Sequence, residues 1–230
     1  MTDLLLRQAQ ESRAGAQGDN DYDVIGPDGP SGFVPPCLPT KAERPSSGEL
    51  WLHEIKHYGF RVIARKDGAR VRLYSRPGND LTYRFPLIVE SLARLRSRSC
   101  IIDGEAVACD ESGAPSFDHI RYRRHDSSVY LYAFDLIELN GDDLRRETLE
   151  VRKATLATVL ARVGHGIWFN DHIEDDGPTV FRHACKLGLE GIVSKRKDSP
   201  YRSGRSPDWL KMKNPAHPAV KREEEEDWAR

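Results

Sequence analysis

The sequence predicts an α+β fold with largely antiparallel sheets and flanking helices. First, segments that alternate apolar and charged residues adjoin turn residues such as Gly and Asn, which is typical of strands in hairpins. Second, segments with apolar residues at helical spacing lie between these strands. The chain has 230 residues and a hydrophobic content of 38%. It is therefore long enough to bury the core of one large domain or two small ones.

The first predicted strands form a hairpin. Residues 61–75 alternate apolar and charged side chains around Asp67-Gly68, a dipeptide typical of a two-residue turn. Apolar residues at helical spacing then predict a helix over 87–95. The apolar residues that follow predict a buried strand over 101–107, which Gly104 interrupts.

The second half of the chain continues the mixture of strands and helices. A strongly apolar strand is predicted to end at an Asn-Gly turn, and Pro in the first turn marks the start of the last helix. In order, the predicted elements are a strand over 129–139, a helix over 149–163, a strand over 167–169, a helix over 178–187 and a strand over 191–195. Interspersed strands and helices of this kind favour an α+β domain over a regular βα repeat.

Composition divides the chain into three parts. Residues 1–32 are rich in Gly, Asp, Gln, Ser and Pro, so we expect a disordered N-terminal tail. Residues 33–215 carry the predicted elements and form the expected domain. Residues 216–230 are expected to be a charged C-terminal tail. Between the two acidic ends, residues 33–220 hold 30 basic and 25 acidic side chains, a mild excess that is compatible with a nucleic-acid partner.

Other features limit the class of protein. No segment approaches the roughly 20 apolar residues of a membrane span, and the N-terminal leucines are too few for a signal peptide. The four cysteines show no Cys-x-x-Cys spacing, so they predict neither a zinc site nor a disulfide framework. We therefore expect a cytoplasmic protein with no membrane partner.

Five short motifs carry the functional signal, and Lys56 is the central residue of the first. A lysine that acts as a nucleophile must lose its proton, although a free lysine has a pKa of about 10.4. Nearby cations or burial can make this possible. Lys211 and Lys213 lie two residues apart, so on a strand they share a face and could provide the positive charge. The motifs are 54–61 (EIKHYGFR), 102–105 (IDGE), 134–137 (FDLI), 190–195 (EGIVSK) and 209–213 (WLKMK).

In their order and spacing, these motifs resemble the adenylation domain of ATP-dependent DNA ligases, closest to the ligase domain of bacterial DNA ligase D. The resemblance covers the chain from about Phe33 to Asn214. It implies an ATP-grasp-like nucleotidyltransferase fold and a reaction in which a lysine attacks the α-phosphorus of ATP. By resemblance that lysine is Lys56, and the product is a lysyl-AMP intermediate for joining DNA nicks or ends.

The resemblance also implies the other site residues. Glu105 and Glu190 match positions that hold a divalent metal, Mg²⁺ or Mn²⁺, and Glu105 is also placed at the ribose. Phe134 matches an aromatic that stacks on adenine. The remaining implied nucleotide-binding residues are Glu54, Arg61, Arg76, Lys195, Lys211 and Lys213. Nicked or broken double-stranded DNA is the implied partner, and other end-joining or repair proteins are further candidates.

Two departures from the family pattern affect the prediction. The family motif reads Lys-x-Asp-Gly-x-Arg, and Tyr58 stands at the Asp position. A neutral phenol cannot replace a carboxylate acceptor at pH 7, so we expect sealing to be impaired. We also expect no C-terminal oligonucleotide-binding (OB) fold after Asn214. Two alternative functions therefore stay open: a catalytically degenerate nucleotide- or DNA-binding accessory protein, and an RNA ligase or capping-type nucleotidyltransferase.

Overall fold

The computed structural model describes residues 32–109, 117–123, 126–218 and 220, which form two β-sheets and four α-helices. In chain order the strands are β1 (Cys37–Lys41), β2 (Trp51–Ile55), β3 (Phe60–Asp67), β4 (Arg70–Ser75), β5 (Ser99–Val107), β6 (Tyr130–Leu139), β7 (Asp142–Asp143), β8 (Ile167–Phe169), β9 (His172–Ile173), β10 (Gly191–Arg196) and β11 (Gly204–Lys213). The helices are α1 (Pro86–Ala93), α2 (Phe117–Arg121), α3 (Leu149–Leu160) and α4 (Gly177–Lys186), with a short 3-10 helix at Asp126–Ser128.

Sheet A has the strand order β1-β11-β10-β2-β9, and sheet B has the order β4-β3-β5-β6-β7 with β8 paired to β6. The pairs β1–β11 and β6–β8 are parallel, and the other ladders are antiparallel. The predicted α+β class with largely antiparallel sheets is therefore confirmed. The sequence did not predict β1 or β9, because β1 is short and contains Pro39, and β9 has only two residues.

The predicted hairpin is present, with one correction to its turn. Asp67 still pairs with Arg70, so the two turn residues are Gly68 and Ala69 rather than Asp67-Gly68. Gly68 has a φ of 56°, which a residue with a side chain adopts at a cost.

The predicted interruption at Gly104 is wrong, because β5 runs through it without a break. A Cβ at Gly104 would lie 2.7 Å from both the Leu131 side chain and the Tyr132 carbonyl. Gly104 therefore allows β6 to lie close to β5. The pairing of the two strands continues past this point with a shift in register.

The three predicted helices, α1, α3 and α4, begin and end within three residues of their predicted bounds, and α2 was not predicted. Thr148 caps α3 by accepting a hydrogen bond from Val151, and Asp176 caps α4 by accepting one from Thr179. Pro178 lies in the first turn of α4, as predicted. Among the described residues, none of the helices has the length and apolar composition needed to cross a membrane.

Three apolar clusters hold these layers together. The largest packs sheet B against α1 and α3, through residues such as Ile88 and Leu156. The second lies between the two sheets and includes Ile63 and Trp209. The third packs the outer face of sheet A against α4. Because sheet A is covered on both faces, its inner polar residues are buried between the sheets.

A buried ion pair links α3 to sheet B. Arg152 donates to both carboxylate oxygens of Asp135 at 2.7 and 3.0 Å, and both side chains are fully buried. The same guanidinium donates to the carbonyls of Glu147 and Ser199. A buried cation with these partners is costly to leave unpaired.

We expect Asp135→Ala to lower the free energy of unfolding by about 3 to 5 kcal/mol, because it leaves the Arg152 charge buried without its partner. Asp198→Ala is the matched control, since the exposed Asp198–Arg196 pair is expected to contribute less than about 1 kcal/mol. Urea denaturation of the two variants measures the difference, and equal losses would contradict the assignment.

Candidate active site

Strand pairing in sheet A places several predicted site residues on one face. Glu54 on β2 lies opposite Val193 on β10, which lies opposite Lys211 on β11. In the neighbouring row Lys195 lies opposite Trp209. Because side chains alternate along a strand, residues two apart share a face. Trp209 belongs to the cluster between the sheets, so this row of charged residues also faces sheet B.

Lys56 follows the last residue of β2 and lies at the end of the same face. Its backbone N–H donates to the Gly191 carbonyl at 3.0 Å. Its ammonium lies 2.6 Å from Oε1 of Glu190, and the two side chains are 21% and 2% exposed. Oε2 of Glu190 is buried without a hydrogen-bond partner, so this carboxylate keeps one free acceptor beside the lysine.

Sheet B supplies the opposite wall. Arg61 on β3 lies opposite Glu105 on β5. On β6 the register places Ala133 opposite Gly104 and Asp135 opposite Asp103, so Phe134 is the extra residue of a β-bulge. Bulges redirect a side chain locally, and Phe134 here packs in the cluster between the sheets.

Arg61 is held in place by a buried carboxylate. It donates to both oxygens of Asp103 at 2.5 and 2.7 Å and to the Cys37 carbonyl at 2.9 Å. The Tyr201 hydroxyl also donates to Asp103, at 2.6 Å. The guanidinium lies 4.5 Å from the centroid of the Phe134 ring, in a cation–π arrangement.

Glu54 is the centre of a second buried charge cluster. Its carboxylate lies 2.6 Å from the ammonium of Lys153 and 2.7 Å from that of Lys195, and Asn170 donates to it at 3.2 Å. Burial raises the pKa of Glu54, but the two ammonium groups outweigh that effect and the pKa is lowered overall. Glu54 is therefore ionised at neutral pH.

An open cavity lies between the two walls and holds about 460 Å³ of empty space, counting its mouth. Six predicted site residues line it: Glu54, Lys56, Arg61, Glu105, Phe134 and Lys195. The other lining residues are Pro39, Ile55, His57, Asn170, Val193 and Trp209. The structure thus gathers residues from five separate motifs around one space.

Four predicted residues are not among those that line this cavity, and one of them is Glu190, which pairs with Lys56. Lys211 and Lys213 follow Trp209 on the inner face of β11, outside the set of residues that line the cavity. Arg76 is exposed in the turn that follows β4. Its expected contact with nucleotide stays a prediction.

The sequence did not identify Lys153, Asn170 or His57 as site residues. Lys153 lies in a predicted amphipathic helix, where a lysine is normally exposed, yet it is almost fully buried beside Glu54. Asn170 follows a three-residue strand and has no recognisable motif. Lys153 lies on the apolar side of the predicted helix 149–163, and this position was the one available sign that it is buried.

The two glutamates beside Lys56 differ in their surroundings. Burial raises the pKa of Glu105 to about 7; Lys56 and Arg61 oppose this rise, and Glu190 adds to it.

No group of three or more His, Cys, Asp and Glu side chains within the described ranges could hold a metal ion alone. Two carboxylates, one with a free buried acceptor, fit Mg²⁺, which retains waters and takes further ligands from phosphates.

Tyr58 packs into an aromatic cluster at the mouth of the site. Its ring stacks on Phe117 with centroids 4.4 Å apart and meets His217 edge-on at 5.7 Å. Phe60 contacts the same Phe117 ring. Asn214, which precedes His217, donates its backbone N–H to the carbonyl of Glu190. The residue at the variant position of the first motif therefore joins α2 to the segment after β11.

Comparison with known proteins gives a consistent result. The family described as ATP dependent DNA ligase domain matches residues 40–213. The multifunctional non-homologous end joining protein LigD of Pseudomonas aeruginosa is 38% identical over 79% of this chain and 22% of its own length. The protein of the same name from Mycolicibacterium smegmatis is 34% identical over 80% of this chain and 24% of its own length.

A solved structure of mycobacterial DNA ligase D complexed with ATP and MES superposes with a TM-score of 0.69 at 33% identity. The match covers 77% of this chain and 59% of that one. The chain thus spans about a quarter of the length of the curated relatives it matches. The predicted resemblance and fold are confirmed.

We expect Tyr58→Asp to lower the free energy of unfolding by about 1 to 3 kcal/mol, because it removes an aromatic stack together with its buried area. Tyr58→Phe keeps the ring and should retain more of the stability. Thermal or urea unfolding of both variants measures this. An equal loss in the two would show that the ring stack does not carry the contribution.

Proposed function

This chain belongs to the family of ATP-dependent DNA ligase domains, and from that premise we propose that it transfers AMP from ATP to Lys56 for joining DNA ends. The observation that carries the proposal is the position of Lys56. It lines the cavity and pairs with Glu190, while five other predicted site residues line the same space. These surroundings differ from those of an ordinary lysine, which is exposed on the protein surface.

In the proposed reaction the Nζ atom of Lys56 loses a proton and its lone pair attacks the α-phosphorus of ATP. The N–P bond forms while the bond from that phosphorus to the bridging oxygen breaks, so pyrophosphate leaves and AMP stays on the lysine. Lys211 and Lys213 extend the inner face of sheet A towards this point. Their positive charge favours loss of the proton and stabilises the charge on the phosphates.

The purine is proposed to stack on Phe134, with Glu54 at its edge. Arg61 and Lys195 have their cationic groups 4.5 and 4.3 Å from the centroid of this ring. This closeness to the ring supports a proposed contact of both cations with the ribose or phosphate that follows the base. Asp103 holds the Nε and Nη2 groups of Arg61, so we propose that the contact of this guanidinium with a phosphate oxygen is made through Nη1.

Glu105 and Glu190 would hold a divalent cation, Mg²⁺ or Mn²⁺, beside Lys56. The cation supplies charge stabilisation for the phosphates and the leaving pyrophosphate. The free Oε2 atom of Glu190 supports this assignment. A bound cation would also keep Glu105 ionised at neutral pH.

The acceptor proposed for the AMP is nicked or broken double-stranded DNA, with other end-joining proteins as further candidate partners. The proposed role of Arg76, which is exposed and outside the cavity, is a contact with the DNA strand. The comparisons bear out neither the impaired sealing expected from Tyr58 nor the two alternative functions. A cytoplasmic location stays a prediction.

Incubation of the chain with α-labelled ATP and Mg²⁺ tests the proposed step. We expect a labelled, acid-labile adduct on a denaturing gel, because a phosphorus–nitrogen bond survives denaturation and is cleaved by acid. Lys56→Ala should reduce the label to background. Lys186→Ala, which changes an exposed lysine on α4, is the matched control and should label like the unaltered chain.

Label that persists in Lys56→Ala would refute Lys56 as the nucleophile. Labelling by GTP and not by ATP would support a capping-type enzyme instead. Absence of label together with binding to nicked DNA would support the accessory protein. Glu190→Gln should lower the labelling rate by about 10²-fold or more if this carboxylate acts at the reacting phosphate.

A further inference from the structure

We propose that Lys153, on helix α3, is a positioning residue that fixes the Glu54 carboxylate and thereby sets the preference for ATP over GTP. This inference rests on the proposed function and extends it to a residue outside the motifs. Lys153 is not one of the cavity-lining residues within the described part of the chain. It would therefore act through Glu54, which does line the cavity.

The hydrogen bonds of Lys153 fix the position of its ammonium group. Its ammonium donates to Oε1 of Glu54 at 2.6 Å and to the backbone carbonyl of Asn170 at 3.0 Å. It also lies 4.6 Å from the centroid of the Phe169 ring. The Lys153 and Glu54 side chains are 3% and 2% exposed, so water does not compete for these hydrogen bonds, and breaking them is costly.

The other oxygen of Glu54 is also fixed. Lys195 lies 2.7 Å from Oε2, and the amide nitrogen of Asn170 donates to Oε2 at 3.2 Å. Two cations and one amide thus hold a single carboxylate. Lys195 lines the cavity, whereas Lys153 does not. If a nucleotide takes Lys195 as its partner, Lys153 is the cation that still holds Glu54.

The Asn170 amide joins Glu54 to His57 and sets the tautomer of that histidine. Because the amide nitrogen donates to Glu54, the amide oxygen can only accept, and it lies 2.8 Å from Nε2 of His57. His57 therefore carries its proton on Nε2. Its ring stacks on Tyr132 with centroids 3.9 Å apart. The network that begins at Lys153 thus ends at the residue next to the nucleophile Lys56.

Fixing Glu54 matters because a carboxylate alone does not distinguish the purines. Adenine offers its 6-amino group to an acceptor, and guanine offers N1–H and the 2-amino group on the same edge. A mobile carboxylate could accept from either base. A carboxylate fixed at one position accepts only from a donor that reaches that position and repels a carbonyl oxygen there.

The neighbouring residue on α3 provides a matched control. Arg152 is also a fully buried cation paired with a carboxylate, Asp135. Neither of these residues lines the cavity. Arg152→Met should therefore destabilise the fold without affecting the choice of base, while Lys153→Met should affect both.

The test measures adduct formation from α-labelled ATP and from α-labelled GTP across a range of concentrations. For Lys153→Met we expect a higher KM for ATP and a drop of about tenfold in the ratio of kcat/KM for ATP to that for GTP. Lys153→Arg should retain most of the ratio, because it restores a cation. Asn170→Ala should lower the ratio as well, with less effect on folding than Lys153→Met. Thermal unfolding of each variant measures the effect on folding.

An unchanged ratio in Lys153→Met and in folded Asn170→Ala would overturn the inference, and so would an equal drop in Arg152→Met. Equal use of ATP and GTP by the unaltered chain would also overturn it. If the unaltered chain formed no adduct, the proposed function would fail separately. The ratio of dissociation constants for ATP and GTP, measured by equilibrium dialysis on the same proteins, would then decide the inference.

Discussion

The register between β2 and β10 is the constraint on which the site depends. It places Glu54 opposite Val193 and brings Lys56 to the carbonyl of Gly191. A slip of one residue would turn Glu54 to the outer face, where Ile55 now packs against α4. Gly191 has a φ of 145°, and a Cβ there would collide with the Met212 carbonyl on β11. This glycine lets three strands meet beside the lysine, so the nucleophile is positioned by backbone pairing.

The motif residues could be predicted from the sequence because each lies within a short, recognisable segment. Lys56 and Glu190 are 134 positions apart in the chain, and no local pattern shows that they form an ion pair. The resemblance assigned both residues to one site, and the strand pairing explains how they meet. Lys153 could not be predicted, because a lysine in an amphipathic helix is normally solvated. Its burial follows from how α3 packs on sheet B. The prediction that Gly104 interrupts a strand was wrong, because glycine also occurs where two strands pack closely.

Tyr58 shows how a departure from a motif can acquire a structural role. In place of a small charged group, a ring joins Phe117 of α2 to His217 in the segment after β11. That segment begins at Asn214, which is buried and bonded to the carbonyls of Leu189 and Glu190. The position of the segment is therefore coupled to the first motif and to a metal-binding candidate. This coupling depends on an aromatic ring at position 58, which an aspartate could not provide.

The charges around the cavity are almost balanced without a ligand. Lys56 pairs with Glu190, Arg61 with Asp103, and Lys153 and Lys195 share Glu54. Glu105 is the one carboxylate lining the cavity that has no ion pair within the described ranges. Its pKa of about 7 means that it takes up a proton readily near neutral pH. With Glu105 protonated, the cluster carries a net positive charge, which suits a polyphosphate. With Glu105 ionised, a cation becomes favourable beside it. One buried glutamate thus couples the charge of the site to the two kinds of charged ligand that the site is proposed to hold.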